Sequence, residues 1–298
     1  MASVTMHDGA EIYYKDWGIG APVVFLHGWP LDADAWDEQL IAVAEAGYRG
    51  VAPDRRGHGR STQTWHGNDM DTWADDLAQL VEALGLHDIT FVAHSMAGGE
   101  LARYIARHGT GRVVRAVLVA AVPPLMLQTD TNPEGVPIDA LDDVRQALRT
   151  DRAQFWRDFA PRFFGAGPGA TEDDGGDGED GGDAAEGTTG GSAGRFSQGL
   201  EDFFWSMAMR QGLKAAIACV KEYSETDFTE DLRRFDIPTL LIHGDGDRVV
   251  PLDATSRKAA ALIPGATLTV YPGASHGLAL VPGTKERFTE DLLTFLRG

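Results

Sequence analysis

The sequence predicts an α/β fold in which helices cover both faces of a mostly parallel sheet. Short apolar runs, typical of strands buried on both faces, alternate with helical patterns over residues 1–124. The alternation resumes over residues 228–298, while the stretch between them, 125–227, carries helical and aromatic patterns without strands. We therefore expect a single domain over the whole chain, with a core made of the two outer segments and a helical cap at 125–227.

The individual elements follow from these patterns. Strands are expected at 10–16, 22–27, 48–53, 89–94, 114–121, 238–243 and 267–272. The residues before them lack the basic start and apolar middle of a signal peptide, and we expect them to form the first strand of a hairpin. Helices are expected at about 33–46, 69–84, 96–108, 252–263 and 283–296.

The stretch 125–227 has an alternative interpretation as a second helical domain packed elsewhere. Strand patterns continue on both sides of it, so both junctions lie on one core, which favours a cap over the carboxyl edge of the sheet. Within it, residues 165–194 hold twelve glycines and eight acids, which predicts a disordered insertion. A calcium loop is the alternative there, but it would need a bidentate glutamate at the twelfth place and flanking helices.

The charge of the chain restricts its partners. The formal net charge is −19, with 45 acidic residues against 26 basic ones. Such a surface repels nucleic acid and anionic membranes, so we expect neither as a partner. It also repels itself, and salt relieves that repulsion; a chain rich in aspartate with only five lysines therefore suggests adaptation to molar salt, a halophilic protein.

Cysteine and hydropathy patterns point to a cytoplasmic protein. No run of about 18 apolar residues occurs, so no membrane-spanning helix is expected. The only cysteine, Cys219, lies in a helical apolar pattern and cannot form an intrachain disulfide or a cysteine zinc cluster. We therefore expect a buried thiol without a metal.

A candidate nucleophile lies in the stretch 89–104, which reads as strand, sharp turn and helix. Ser95 occupies the turn among small residues, as in a nucleophile elbow, where backbone strain exposes the serine hydroxyl above the sheet. The G-x-S-x-G pattern would need glycine where this chain has Ala93 and Ala97. Taken alone, Ser95 could equally be a helix-capping serine.

A candidate oxyanion hole follows the third strand, where the chain reads His27-Gly28-Trp29-Pro30. In serine hydrolases with a sheet and helices of this kind, the loop after that strand supplies one backbone N–H to the oxyanion, and the residue after the nucleophile supplies the other. Trp29 and Met96 would be these donors. Pro30 has no N–H and biases Trp29 toward an extended backbone. A simple tight turn is the alternative.

Candidates for the acid and the base follow later strands. Asp247 comes just past the buried strand at 238–243 and could accept a hydrogen bond from a histidine Nδ1, whereas Asp245 is better explained as a turn residue. His276 lies in a glycine-flanked loop after the last strand. The order Ser95, Asp247, His276 is the nucleophile, acid and base order of this type of fold.

These motifs carry a family resemblance that runs essentially end to end. The chain resembles the cofactor-free (non-heme) chloroperoxidases and aryl esterases, the perhydrolase branch of the α/β-hydrolases. The carrying motifs are His27-Gly28-Trp29-Pro30-Leu31, residues 54–61, His94-Ser95-Met96 with Gly98-Gly99-Glu100, residues 129–133, 152–155, 197–199 and 224–231, Gly244-Asp245-Gly246-Asp247 with Pro251, and Tyr271-Pro272-Gly273 with His276-Gly277. The chain departs from the family at Ala97 and in the acidic glycine-rich segment.

The resemblance implies an α/β-hydrolase fold with an eight-stranded sheet and a serine triad that hydrolyses small carboxylic esters. Hydrogen peroxide in place of water would give a peracid, which oxidises halide in solution, and Pro30 is associated with that route. No heme, vanadate or other metal cofactor is implied. Pro30, Phe155 and Trp205 are candidate walls of the substrate pocket, beside Trp29 and Met96.

Three other classes of protein share parts of this pattern. Haloalkane dehalogenases and epoxide hydrolases carry aspartate at the elbow, where this chain has Ser95. A non-catalytic scaffold of the same fold tends to lack a triad residue, and this chain has all three. A plain carboxylesterase or lactonase without peroxide chemistry stays open, as does assembly into a homo-oligomer.

Overall fold

The protein was analysed as a computed structural model, which describes residues 2–165 and 196–298. An eight-stranded sheet forms its centre, as expected. The strands are β1 (Ser3–Thr5), β2 (Glu11–Gly18), β3 (Pro22–Leu26), β4 (Arg49–Pro53), β5 (Ile89–His94), β6 (Val113–Val119), β7 (Thr239–Gly244) and β8 (Thr267–Tyr271). Their order across the sheet is β1-β2-β4-β3-β5-β6-β7-β8. The six strands β3 to β8 all pair in parallel with their neighbours among these six. The hairpin β1–β2 is antiparallel, and β2 also runs antiparallel to β4.

The helices connect these strands. They are α1 (Asp37–Glu45), α2 (Met70–Ala83), α3 (Met96–His108), α4 (Ile138–Phe164), α5 (Gln198–Arg210), α6 (Leu213–Glu225), α7 (Thr229–Leu232), α8 (Ser256–Leu262) and α9 (Thr284–Arg297). The helix predicted at 33–46 begins as a 3-10 turn over Ala33–Trp36, because the Asp32 side chain caps that turn by accepting from the Asp34 N–H. The helix predicted from 252 begins only at Ser256. No helix among the described residues is both long and apolar enough to cross a membrane.

Helices bury apolar side chains on both faces of the sheet, as the continuous apolar strands predict. On one face, Trp73, Leu77 and Leu80 of α2 pack with Leu101 and Ile105 of α3. The opposite face is covered by two other helices, and its packed residues include Trp36, Leu40, Val43, Phe288, Leu292 and Leu296. The strand ends that carry the candidate site are thereby held between two rigid layers.

The segment predicted as a cap lies between β6 and β7 in sequence. Helices α4, α5 and α6 occupy it, and α4 bends at Asp151, whose backbone leaves the helical region. The prediction of an all-helical segment is wrong at its start, because residues before α4 form turns with a bridge between Leu127 and Val136. The division into core and cap stays a prediction. Apart from Gly165, the acidic segment 165–194 lies outside the described residues, as does the calcium loop weighed there.

Candidate active site

Ser95 lies in the sharp turn between β5 and α3. Its φ of 56° and ψ of −120° place a non-glycine residue in a strained backbone region. The turn is held by three backbone hydrogen bonds: the Ser95 N–H donates to Val119 at 2.8 Å, and its carbonyl accepts from Gly98 and Val122 at 3.0 and 3.2 Å. The elbow therefore forms although alanines stand where the motif has glycine. The Ser95 hydroxyl makes no capping hydrogen bond to α3, contrary to the alternative of a helix-capping serine.

The three predicted side chains meet at the carboxyl edge of the sheet. The His276 Nε2 lies 2.9 Å from the Ser95 Oγ, and its Nδ1 lies 2.7 Å from the Asp247 Oδ2. A carboxylate only accepts, so the Nδ1 of His276 carries the proton and Nε2 is free to take one from the serine. All three side chains are buried. This is the arrangement of a nucleophile, a base and the group that orients the base.

Four donors converge on the Asp247 carboxylate. Its Oδ1 accepts from the N–H groups of Val249 and Val250 at 2.8 and 2.9 Å. Its Oδ2 accepts from His276 and lies 3.2 Å from the Nε2 of His243. Burial alone would raise the pKa of Asp247, but the charges and hydrogen bonds of the two histidines outweigh it and lower that pKa well below its usual range. Asp247 is therefore ionised in the folded protein.

Asp245, the alternative acid, has another role in the structure. Its Oδ1 accepts from the Gly273 N–H at 2.5 Å, which ties the loop after β7 to the loop after β8. A second buried histidine, His94, fixes the backbone of the base by donating from Nε2 to the His276 carbonyl at 3.0 Å. Burial lowers the pKa of His94 to about 3, so His94 is neutral.

The candidate oxyanion hole lies where the loop after β3 touches the elbow. A Cβ added to Gly28 would lie 2.9 Å from the Ser95 Cβ, so only glycine permits this approach. Met96 is the first residue of α3, and its N–H is therefore not used within the helix. The Trp29 N–H has no acceptor among the residues described. The Trp29–Pro30 peptide bond is cis.

A small cavity of about 20 Å³ lies beside these groups. Trp29, Ser95 and His276 form its reactive side. The remaining wall is mainly apolar and comes from the loops after β6 and β7 and from α6, through Val122, Met126, Val249, Val250 and Tyr223. An apolar wall with few polar groups is typical of a site for small organic molecules.

Three residues predicted for the pocket wall do not line this cavity, and their role in a substrate pocket stays a prediction. Phe155 packs on the ring of Trp29, with centroids 6.4 Å apart, and is not among the residues that line the cavity. Trp205 donates from its indole to the Ala153 carbonyl and carries Arg157 over its ring, also away from the cavity. Pro30 is buried and is not among the residues that line the cavity. Aromatic periodicity predicts burial within the cap, but it does not show which buried faces reach the triad.

Metal-binding side chains do not cluster in the part of the chain that the structure describes: no group of three or more His, Cys, Asp or Glu residues is placed to hold an ion there. Cys219 is buried and free, and burial raises its pKa to about 12.

Comparison with known proteins agrees with this geometry. The profile of the alpha/beta hydrolase fold family matches residues 21–281. The chain is also 54% identical to the non-heme chloroperoxidase of Kitasatospora aureofaciens, over 99% of both chains. The protein belongs to the non-heme chloroperoxidases of the α/β-hydrolase family.

Two further relatives of this α/β-hydrolase bear on its chemistry. A bifunctional esterase/perhydrolase of Acinetobacter calcoaceticus is 42% identical to it over the full length of both chains. The structure of the present protein is similar to the crystal structure of the bromoperoxidase from Bacillus anthracis. The TM-score is 0.84 and the identity 36%, with 97% of this chain and 96% of the bromoperoxidase chain covered.

Proposed function

We propose that the protein is a serine hydrolase of small carboxylic esters that also converts a carboxylic acid and hydrogen peroxide into a peracid. The single observation that carries the proposal is the chain of hydrogen bonds from Ser95 through His276 to Asp247, at 2.9 and 2.7 Å. It is supported by relatives named as a chloroperoxidase, an esterase/perhydrolase and a bromoperoxidase.

In the first half of the reaction, the Ser95 Oγ attacks the carbonyl carbon while its proton passes to the Nε2 of His276. The electron pair of the carbonyl moves onto its oxygen, which accepts from the N–H groups of Trp29 and Met96. The carbonyl then re-forms and expels the alcohol, which takes the proton from His276. The ionised Asp247 stabilises the imidazolium at each stage.

In the second half, water or hydrogen peroxide attacks the acyl carbon, and His276 takes its proton. The bond to Ser95 breaks, and the serine recovers that proton. Water releases a carboxylic acid, whereas hydrogen peroxide releases a peracid, which oxidises halide in solution. A carboxylic acid enters the same cycle by forming the acyl-serine with loss of water.

The size of the cavity favours small acyl groups. Its wall beyond the triad is mainly aliphatic and offers no charged side chain among the described lining residues. A plain carboxylesterase or lactonase is the second candidate, since hydrolysis needs the same triad. Pro30 after Trp29 and the names of the relatives favour the peroxide reaction as well.

The test compares two activities in one variant. Ser95→Ala is expected to lower both p-nitrophenyl acetate hydrolysis and monochlorodimedone bromination, in acetate with peroxide and bromide, by about 10⁴-fold or more. Ser206→Ala is the matched control and should retain both, because the hydroxyl of this α5 serine bonds to the Phe203 carbonyl and to no other described residue. Retained bromination in Ser95→Ala would contradict a shared acyl-serine, and retained hydrolysis would contradict the proposal altogether.

The remaining expectations of cytoplasmic location, homo-oligomerisation and salt adaptation stay predictions. Salt adaptation rests on the net charge of −19.

A further inference from the structure

The Asp247 carboxylate holds two imidazoles on one oxygen. Its Oδ2 lies 2.7 Å from the Nδ1 of His276 and 3.2 Å from the Nε2 of His243. His243 is the fifth residue of β7, four positions before Asp247, and neither side chain is exposed to solvent. The hydrolytic mechanism described above assigns no role to this second ring.

The partners of His243 settle where its proton lies. Its Nε2 also lies 3.0 Å from the Val250 carbonyl, and both this oxygen and the Asp247 carboxylate can only accept, so Nε2 carries a hydrogen. Its Nδ1 lies 2.7 Å from the buried Ser256 hydroxyl at the start of α8, which can donate to it. The ring is therefore held with its Nε2–H on the Val250 carbonyl and beside the Asp247 Oδ2.

A donor on this oxygen changes how strongly Asp247 attracts the base. A hydrogen bond to a carboxylate stabilises its negative charge, and in a buried site that effect is larger than in water. The less negative the Oδ2 becomes, the less it stabilises an imidazolium at His276. The His276 ring then holds its extra proton less tightly and keeps Nε2 free at lower pH.

We propose that His243 is a positioning residue that acts through Asp247 and extends the activity of the enzyme toward acid pH. It does so by sharing the carboxylate oxygen that orients His276. This inference rests on the proposed serine-hydrolase function and adds a residue to it.

Other groups near His276 leave this assignment intact. His94 of β5 contacts the His276 carbonyl and is neutral, since burial lowers its pKa to about 3. Tyr223 of α6 lines the same cavity, and burial raises its pKa, so it stays protonated. From α4, the uncharged ring of Phe163 packs against His276 with centroids 5.1 Å apart.

The first experiment measures kcat/KM for p-nitrophenyl acetate against pH. His243→Leu removes the donor, and the acid limb of the profile should move up by about 0.5 to 1 pH unit. His243→Gln can place an amide N–H near the former Nε2, and its acid limb should return toward that of the wild type. A fall in kcat with an unmoved acid limb in His243→Leu would show a merely structural role and overturn the proposal.

A second variant keeps the test decisive if His243→Leu does not fold. Ser256→Ala removes the hydroxyl that holds Nδ1 but keeps the imidazole, and it should move the acid limb in the same direction by a smaller amount. An unchanged acid limb in Ser256→Ala would then overturn the proposal.

A spectroscopic readout separates this inference from the proposed function. The Nδ1 proton of His276 gives a low-field proton NMR signal whose pH titration needs no turnover. The titration is compared between Ser95→Ala and the double variant that also carries His243→Leu, and it should lie at higher pH in the double variant. If Ser95→Ala retains turnover, the serine mechanism fails; if the titration stays in place, the role of His243 fails.

Discussion

Gly28 connects the predicted oxyanion donor to the residues that orient it. Its carbonyl accepts from the Leu31 N–H and from the Nδ1 of His27, both at 2.9 Å. In a trans peptide the carbonyl and the next N–H point in opposite directions, so these two bonds also fix the direction of the Trp29 N–H. The Arg55 N–H donates to His27 Nε2 at 2.9 Å, which sets the tautomer. Burial and, next, the charge of Arg55 keep the pKa of His27 well below its usual range.

A pair of substitutions at His27 tests this arrangement. In His27→Asn the side-chain amide lies near the former Nδ1 and can still donate to Gly28, whereas in His27→Gln it lies near the former Nε2 and cannot. We expect kcat for p-nitrophenyl acetate to fall about 10- to 100-fold in His27→Gln with KM nearly unchanged, and to recover largely in His27→Asn. Equal losses in both variants would contradict an orienting hydrogen bond to Gly28.

The residues of the triad could be predicted because each follows a recognisable strand and carries a reactive side chain. His243 could not, since it lies inside an apolar strand, and its contact with Asp247 depends on how the chain turns after β7. The lining of the cavity beside the triad could not be predicted for a related reason. Phe155 and Trp205 are aromatic and lie in the cap, but which faces reach the cavity depends on packing between helices.

Helix α3 packs closely because two glycines follow the elbow. A Cβ on Gly98 would lie 2.6 Å from the Ala121 Cβ, and one on Gly99 would lie 2.5 Å from the ring of Phe228. The neighbours at Gly98 belong to the segment after β6, and Phe228 precedes α7. These glycines let the helix that carries Ser95 lie directly against both segments.

Gly99→Ala is expected to destabilise the protein by overpacking, by about 1 to 3 kcal/mol. Gly111→Ala is the matched control, because a Cβ there meets no atom within 4 Å and its φ lies outside the left-handed region. Urea unfolding of both variants measures the difference. A Gly99→Ala variant as stable as Gly111→Ala would show that Phe228 moves aside without cost.

The loop after β3 is joined to α5 by ion pairs. Arg210 of α5 contacts the carboxylates of Asp32 and Asp34, at 2.6 and 2.7 Å. Asp32 has no exposed side-chain surface, and burial, with the nearby charge of Asp54, raises its pKa to about 6. The ionised form of Asp32 is therefore less favoured in the folded protein than in the unfolded chain.

This shift predicts a pH dependence with a definite sign. Between about pH 4 and pH 6 the folded protein binds the Asp32 proton while the unfolded chain has released it, so the contribution of Asp32 to stability falls as the pH rises. The free energy of unfolding of the wild type, minus that of Asp32→Asn, should decrease between pH 4 and 7. The same difference for Asp253→Asn, at an exposed carboxylate, serves as the control. A difference for Asp32 that rises with pH would contradict the assignment.

Element bounds show where sequence patterns fail. Helix α3 has the predicted bounds of 96–108, because Ser95 and Gly109 end the pattern on both sides. The prediction at 33–46 missed the break at Trp36, which leaves the helical region between the 3-10 turn and α1. A periodic apolar pattern does not reveal such a break.

At the scale of the whole molecule, the sheet could be predicted in kind but not in order from the apolar runs alone. Parallel strands connected by helices follow from the alternation of patterns. The placement of β4 between β2 and β3 depends on pairings between distant segments. The eight-stranded fold therefore followed from the family resemblance more than from periodicity.

The net charge of −19 predicts a dependence of stability on salt. Raising the salt concentration shortens the screening length from about 10 Å at 0.1 M to about 3 Å at 1 M and weakens repulsion among surface acids. We expect the Tm to rise from low to molar KCl. Glu45 and Glu82 are exposed, and changing both to lysine alters the charge by two units each, from −19 to −15. That double variant should show a smaller rise in Tm than the wild type. A wild-type Tm that does not rise, or a rise in the double variant equal to that of the wild type, would contradict the prediction.

The central claim, that His276 activates Ser95 as a nucleophile, is tested most directly by covalent labelling with a fluorophosphonate. The reagent phosphonylates an activated serine, and mass spectrometry of the digested protein locates the adduct. We expect one adduct on the peptide containing Ser95, none in Ser95→Ala, and labelling slowed at least about 100-fold in His276→Ala. An adduct on another residue, or labelling of Ser95 at an unchanged rate without the imidazole, would contradict the account.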